Sequence, residues 1–143
     1  MQEALQEARM AMQAGDVPIG AVIALKGEII ARAHNEIERL KDATKHAELT
    51  AIQRASQVLG DWRLSETTLC VTLEPCPMCA GAIRQARIGT VVFAAHDEKR
   101  GALGSLFDLS LDKRLGALPR VISGIRSAEA ITLLQDFFKN HRS

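Results

Sequence analysis

A strand-forming run, TTLCVTL at residues 67–73, gives way within three residues to Pro77 and the small, helix-compatible stretch PMCAGAI, with Cys76 and Cys79 straddling the change. This junction constrains the fold more than any other part of the chain. Proline suits the first turn of a helix, where its missing N–H leaves no bond unmade, so a helix is predicted over 77–86 directly after the strand. Two cysteines about one helical turn apart can aim both sulfurs at one point. Such a pair can serve as a crosslink, a redox couple or part of a metal site. The chain has only three cysteines in 143 residues. A disulfide framework is a poor fit to that sparse, odd set.

The flanking sequence supplies the rest of an α/β pattern. Residues 2–14 place Leu5, Ala8, Ala11 and Met12 on one helical stripe, and Gly15 is suited to end it. VPIGAVIAL and EIIARA flank Lys26-Gly27, the signature of a hairpin. Residues 35–45 are polar and read as a loop, whereas 46–59 repeat Ala51, Ile52, Ala55 and Leu59 at helical spacing. TVVFAA lacks polar alternation, as expected of a strand covered on both faces. Residues 97–118 are glycine-punctuated and predict a long loop, a kind of segment that often carries function. A short strand is expected near 120–123. Ser127 then reads as the N-cap of a last helix over 128–139, with Ala130, Leu134 and Phe137 on its stripe. Neither repeats nor linkers interrupt the chain, so one domain over 1–143 is expected. The order α-β-β-α-β-α-β-β-α implies a sandwich with helices on both faces of the sheet.

Composition narrows the setting. With 47% hydrophobic and 24% charged residues but only 3% aromatic, the chain is globular with a mainly aliphatic core. No apolar run approaches the roughly 20 residues of a membrane span. The N-terminus lacks the order of a signal peptide. A cytoplasmic protein with no membrane partner is expected. Net charge is +1. It is unevenly spread: residues 1–77 carry 8 Lys/Arg against 11 Asp/Glu, and 78–143 carry 10 against 6. The basic half suits a polyanion, and equally an ordinary solvated surface.

What decides among the roles of the cysteine pair lies upstream. His46-Ala47-Glu48 opens the preceding helix, and βα junctions of parallel sheets gather at one edge. His46, Cys76 and Cys79 can therefore converge. Imidazole and thiolate suit zinc, and three protein ligands leave a fourth position open for water, the mark of a catalytic site. Glu48, beside a ligand without being one, can take a proton from that water and pass it to a substrate nitrogen. Residues two apart in mid-helix do not share a face, so His46 and Glu48 must both lie in the first turn. Taken alone, His46 is a satisfied core histidine and Glu48 an acid favoured by the helix dipole. Cys70 alternates with Thr72 and Glu74 and reads as core packing; its rival role is a fourth ligand, which would make the metal structural. Glu74 reads as satisfying nearby backbone donors, with support of the site as the other reading. Asn35 alone reads as a turn residue. Phe137 and Phe138 point about 100° apart on a helix, Phe137 toward the core and Phe138 more exposed.

His46-Ala47-Glu48, followed after 26 intervening residues by Pro75-Cys76-Pro77-Met78-Cys79, resembles the H-x-E…P-C-x-x-C signature of zinc-dependent nucleoside and nucleobase deaminases. The stretches VPIGAV, Asn35, TLEPCPMCAGAI, ARIG with VVF, DEKRGALGS at 97–105 and DFF at 136–138 extend the resemblance to bacterial tRNA-specific adenosine deaminases over nearly the whole chain. The metal motif is shared with cytosine and guanine deaminases, whereas DEKRGALGS and DFF point to the tRNA enzymes. The resemblance implies a cytidine deaminase-like three-layer α-β-α sandwich around a mixed sheet of about five strands. It implies one Zn2+ per chain on His46, Cys76 and Cys79, with Glu48 as the catalytic proton shuttle, and a homodimer. The implied substrate is a tRNA anticodon stem-loop whose wobble adenosine is hydrolysed to inosine by zinc-activated water. Asn35 would contact the flipped nucleoside. Asp97, Lys99 and the Phe137/Phe138 pair, Phe138 in particular, would hold flanking nucleotides. Two departures stand out: Cys70 where an aromatic residue is expected, and His96 where arginine is common. Two other readings remain, a small-molecule deaminase of guanine or cytosine and a non-catalytic zinc-stabilised module binding RNA or another protein.

Overall fold

The computed structural model describes residues 1–141, and its five strands form one mixed sheet in the spatial order 28–34, 20–25, 67–73, 90–95, 120–123. The hairpin expected around Lys26-Gly27 joins β1 (Gly20–Leu25) to β2 (Glu28–His34). Its turn has φ of 51° at Lys26 and 81° at Gly27, the left-handed pair whose twist matches the flanking strands. β1 pairs antiparallel with β3 (Thr67–Leu73); β3 to β4 (Thr90–Ala95) and β4 to β5 (Arg120–Ser123) are parallel.

Strand alternation sends successive side chains to opposite faces. Phe93 joins a core of Ile23, Leu69, Val71 and Ile83 beneath α3 (Ala47–Leu59) and α4 (Pro77–Ala86). Its neighbour Ala94 packs on the other side with Leu5 of α1 (Gln2–Gln13) and Ala130 of α5 (Ser127–Asn140). The three-layer sandwich is therefore as expected. Small residues set its spacing. Ala47, Ala51 and Ala55 are fully buried along α3. At Gly20 a Cβ would collide with the backbone of α1 at Ala4 and Ala8, so that helix lies directly on β1.

Three local features differ from the sequence reading. Residues 35–45 contain a one-turn helix, α2 (Ile37–Leu40). None of its residues is buried, and it is held by Glu38 N–H donating to Asp16 Oδ2 at 3.0 Å and by the Glu36–Arg39 ion pair. Ser127 is the first residue of α5 and not its cap. Arg126 precedes it in left-handed backbone, φ 58°, and donates to Glu129 at 2.8 Å. Within the irregular 97–118 segment there are a bridge between Leu103 and Asp108 and a 3-10 turn at Lys113–Leu115. The buried Arg84 of α4 holds this segment from below, donating to the carbonyls of Leu109, Asp112, Gly116 and Ala117 at 2.5, 3.0, 3.2 and 3.3 Å. Among the described residues no helix is long and apolar enough to cross a membrane.

Candidate active site

The carboxyl ends of β3 and β4 and the N-termini of α3 and α4 meet at one edge of the sheet. His46 is the residue before α3, with extended backbone (φ −74°, ψ 147°), and Glu48 lies in the first turn. That change of backbone angle lets residues two apart aim at the same place, as the sequence reading required. Cys76 stands likewise before α4 (φ −75°, ψ 174°), with Pro77 at the first helical position. The sulfurs of Cys76 and Cys79 lie 3.6 and 3.5 Å from His46 Nδ1. The three ligand atoms all fall within 4.8 Å of one another and could hold a metal ion.

Donor chemistry and spacing both fit zinc. With bonds of about 2.3 Å to sulfur and about 2.0–2.1 Å to nitrogen, tetrahedral coordination puts the two ligand atoms about 3.5–3.6 Å apart. Cys70 is half-buried on β3 and is not part of the cluster. Among the described residues the ligand set therefore stops at three, and the packing role expected of Cys70 fits its position.

Electrostatics couple the cluster. The Cys79 thiol donates to the Cys76 sulfur, which is thereby held as a thiolate and pushed down to about 4. The same bond, together with burial, pushes the Cys79 thiol up. His46 is raised, chiefly by its hydrogen bond to Cys76. Glu48 is 4% exposed, and burial raises its carboxyl to about 7. A carboxyl poised near neutrality can both accept and return a proton.

Asn35 ends the β2 side of this edge. It is buried, and its Oδ1 accepts the backbone N–H of Ala47 at 2.8 Å. It thus caps α3 from a distant strand and fixes the start of the helix bearing His46 and Glu48. Asp97 and Lys99 lie on the adjoining loop. Asp97 Oδ1 accepts from Lys99 N–H and Arg100 N–H at 3.1 and 3.2 Å, while the Lys99 side chain is exposed. Phe137 is buried and Phe138 is 53% exposed, the division expected. Phe138 borders an open groove with Ala95, His96, Ile131, Leu134 and Gln135. Glu74 is buried and receives backbone donors, in line with the first of its two sequence readings. The distant partner of Asn35 and the loop-holding role of Arg84 were not found from sequence, because neither follows a local pattern.

Fold and site together define a deaminase, and the family of MafB19-like deaminases matches the chain over residues 1–142. The tRNA-specific adenosine deaminase of Bacillus subtilis (strain 168) is 47% identical over 142 residues, covering 99% of this chain and 88% of that protein. The chain belongs to this tRNA-specific adenosine deaminase family. A solved structure from a study of A-to-I editing by tRNA:A34 deaminases at the wobble position of transfer RNA matches with a TM-score of 0.90 at 43% identity, covering 94% of this chain and 97% of that one. The guanine deaminase of Bacillus subtilis is more distant, with a TM-score of 0.65 at 32% identity, covering 99% and 94%.

Proposed function

We propose that the chain, as one deaminase domain over residues 1–143, hydrolyses the wobble adenosine of a tRNA anticodon stem-loop to inosine. The observation that carries this reading is Glu48, buried in the first turn of α3 beside three converging ligands, one of which immediately precedes that helix. His46, Cys76 and Cys79 would hold one zinc ion, whose Lewis acidity lowers the pKa of a nearby water toward neutral. Glu48 accepts a proton from the attacking water and delivers it to ring nitrogen 1 of adenine while the water oxygen adds to carbon 6. The C6–N bond then breaks, a further proton reaches the departing amine, and ammonia leaves. Water and adenosine thus become inosine and ammonia.

The base must leave its stack to reach this edge, which a single-stranded loop allows at low cost. The side-chain nitrogen of Asn35 donates to the flipped nucleoside. Lys99 and Asp97 on their loop, and Phe138 in its groove, receive flanking nucleotides, with the exposed ring offering a stacking face. The exposed Leu106, Phe107, Leu111, Leu115 and Leu118 support pairing with a second copy of the chain. A cytoplasmic setting follows from the substrate.

A second reading, deamination of free guanine or cytosine, draws on the likeness to the guanine deaminase. One assay separates the two. Zinc-loaded protein is incubated with an anticodon stem-loop bearing wobble adenosine and, separately, with the free bases. The proposal expects inosine, read as guanosine on sequencing, and unchanged bases. Turnover of the free bases alone would replace it with the second reading, and turnover of neither would leave a binding module.

A further inference from the structure

Glu74 is 2% exposed at the carboxyl end of β3, two residues before Cys76, and the proton chemistry above does not use it. Its two carboxylate oxygens accept the backbone N–H groups of Asp97, Leu103 and Ser105 at 3.1, 3.0 and 3.0 Å, and the Ser105 hydroxyl as well. His96 Nδ1 lies 3.4 Å away. Every one of these partners belongs to the loop that follows β4. The loop is tied to the same turn a second time, by Ala102 N–H donating to the Pro75 carbonyl at 2.8 Å. Gly101 leaves no room for a side chain: a Cβ there would meet the Glu74 carboxylate and the Asp97 carbonyl.

The consequence is an inside-out loop. The amides of Asp97, Leu103 and Ser105 point inward to one buried anion, and the side chains of Lys99 and Arg100 are left exposed. Lys99 and Arg100 thus stand on a loop that Glu74 and the Pro75 carbonyl tie to the turn carrying Cys76, with Asp97 Oδ1 accepting their own amides.

We propose that Glu74 is a positioning residue for nucleic-acid binding: by gathering the Asp97, Leu103 and Ser105 amides against the metal-ligand turn, it holds the intervening Lys99 and Arg100 where they meet the phosphates flanking the target nucleotide. This rests on the reading of the substrate as an RNA loop. It makes a prediction opposite in sign to simple electrostatics. Removing a negative charge beside a polyanion site should tighten binding, whereas losing the position of two cations should weaken it.

The test is steady-state kinetics of zinc-loaded protein on an anticodon stem-loop, with zinc content measured alongside. Glu74→Gln keeps the shape but turns an NH2 donor toward loop donors. It is expected to keep one zinc per chain and kcat within about twofold, and to raise KM about tenfold with a shallower salt dependence, since each lost phosphate contact lowers the log–log slope by roughly 0.7 on single strands. Lys99→Ala/Arg100→Ala should raise KM to a similar extent. The triple variant should be little worse than either, because one variant already removes what the other acts through. Ser105→Ala, which deletes one donor, should move KM the same way by less, and it decides the matter if Glu74→Gln does not fold.

An unmoved or lowered KM in both Glu74→Gln and Ser105→Ala would overturn the inference. So would effects of Glu74→Gln and Lys99→Ala/Arg100→Ala that simply multiply, or loss of zinc from both single variants. A wild-type chain inactive on the stem-loop would instead overturn the functional reading, and this inference with it.

Discussion

One side-chain oxygen, Asn35 Oδ1, fixes where the helix bearing His46 and Glu48 begins. Ala47 is fully buried, so its N–H has no water to fall back on once that oxygen is gone. Asn35→Ala should therefore lower unfolding free energy by about 1–3 kcal/mol, the cost of a buried unsatisfied donor. Asn35→Asp keeps the acceptor at a helix N-terminus and should recover most of the loss. Urea unfolding midpoints check both, and an alanine variant as stable as wild type would contradict the assignment. Cys70 gives a second test at this scale. Lying outside the ligand cluster, it can become serine with the zinc-to-protein ratio unchanged, whereas Cys76→Ser or Cys79→Ser should reduce that ratio sharply in metal analysis.

At the scale of elements, the close approach of α1 to β1 rests on Gly20. The two nearest atoms that a Cβ would meet there are backbone, at Ala4 and Ala8, and the third is the Glu7 Cβ; none can rotate away. Gly20→Ala should cost about 3 kcal/mol, at the upper end of ordinary overpacking, read as a lower melting temperature. This is also the scale at which sequence and structure part company. The strands and the four longer helices were legible because burial writes a period of two or 3.6 into the chain, and the cysteine–proline junction placed α4 to the residue. α2 was not legible, since its support comes from Asp16, 22 residues before the backbone N–H that it accepts. Arg84 was missed for the same reason: its acceptors lie 25 to 33 residues away and form no pattern around it. At the site, the His/Glu and Cys/Cys spacing made the donor set legible. The hydrogen bonds that Asn35 accepts from the start of α3 and Glu74 accepts from the loop after β4 span 12 to 31 residues and were only partly visible.

For the whole molecule, the three ligands come from the starts of α3 and α4, two helices separated in sequence by β3. A bound ion would therefore clip distant parts of the chain together. Metal that binds the folded state alone stabilises it by mass action, about 2.7 kcal/mol at a hundredfold excess over its Kd. Chelation should lower the melting temperature, and zinc but not magnesium should restore it, because thiolate and imidazole disfavour a hard cation. Equal melting temperatures with and without chelator would argue against metal binding at this edge.

In the proposed mechanism Glu48 moves the proton without holding the metal. The most direct test is the single-turnover rate of inosine formation by Glu48→Gln protein that carries one zinc per chain. The expected rate is about 10²- to 10⁴-fold below wild type, the range for loss of a general acid–base group. A zinc-loaded variant that forms inosine at the wild-type rate would contradict the claim.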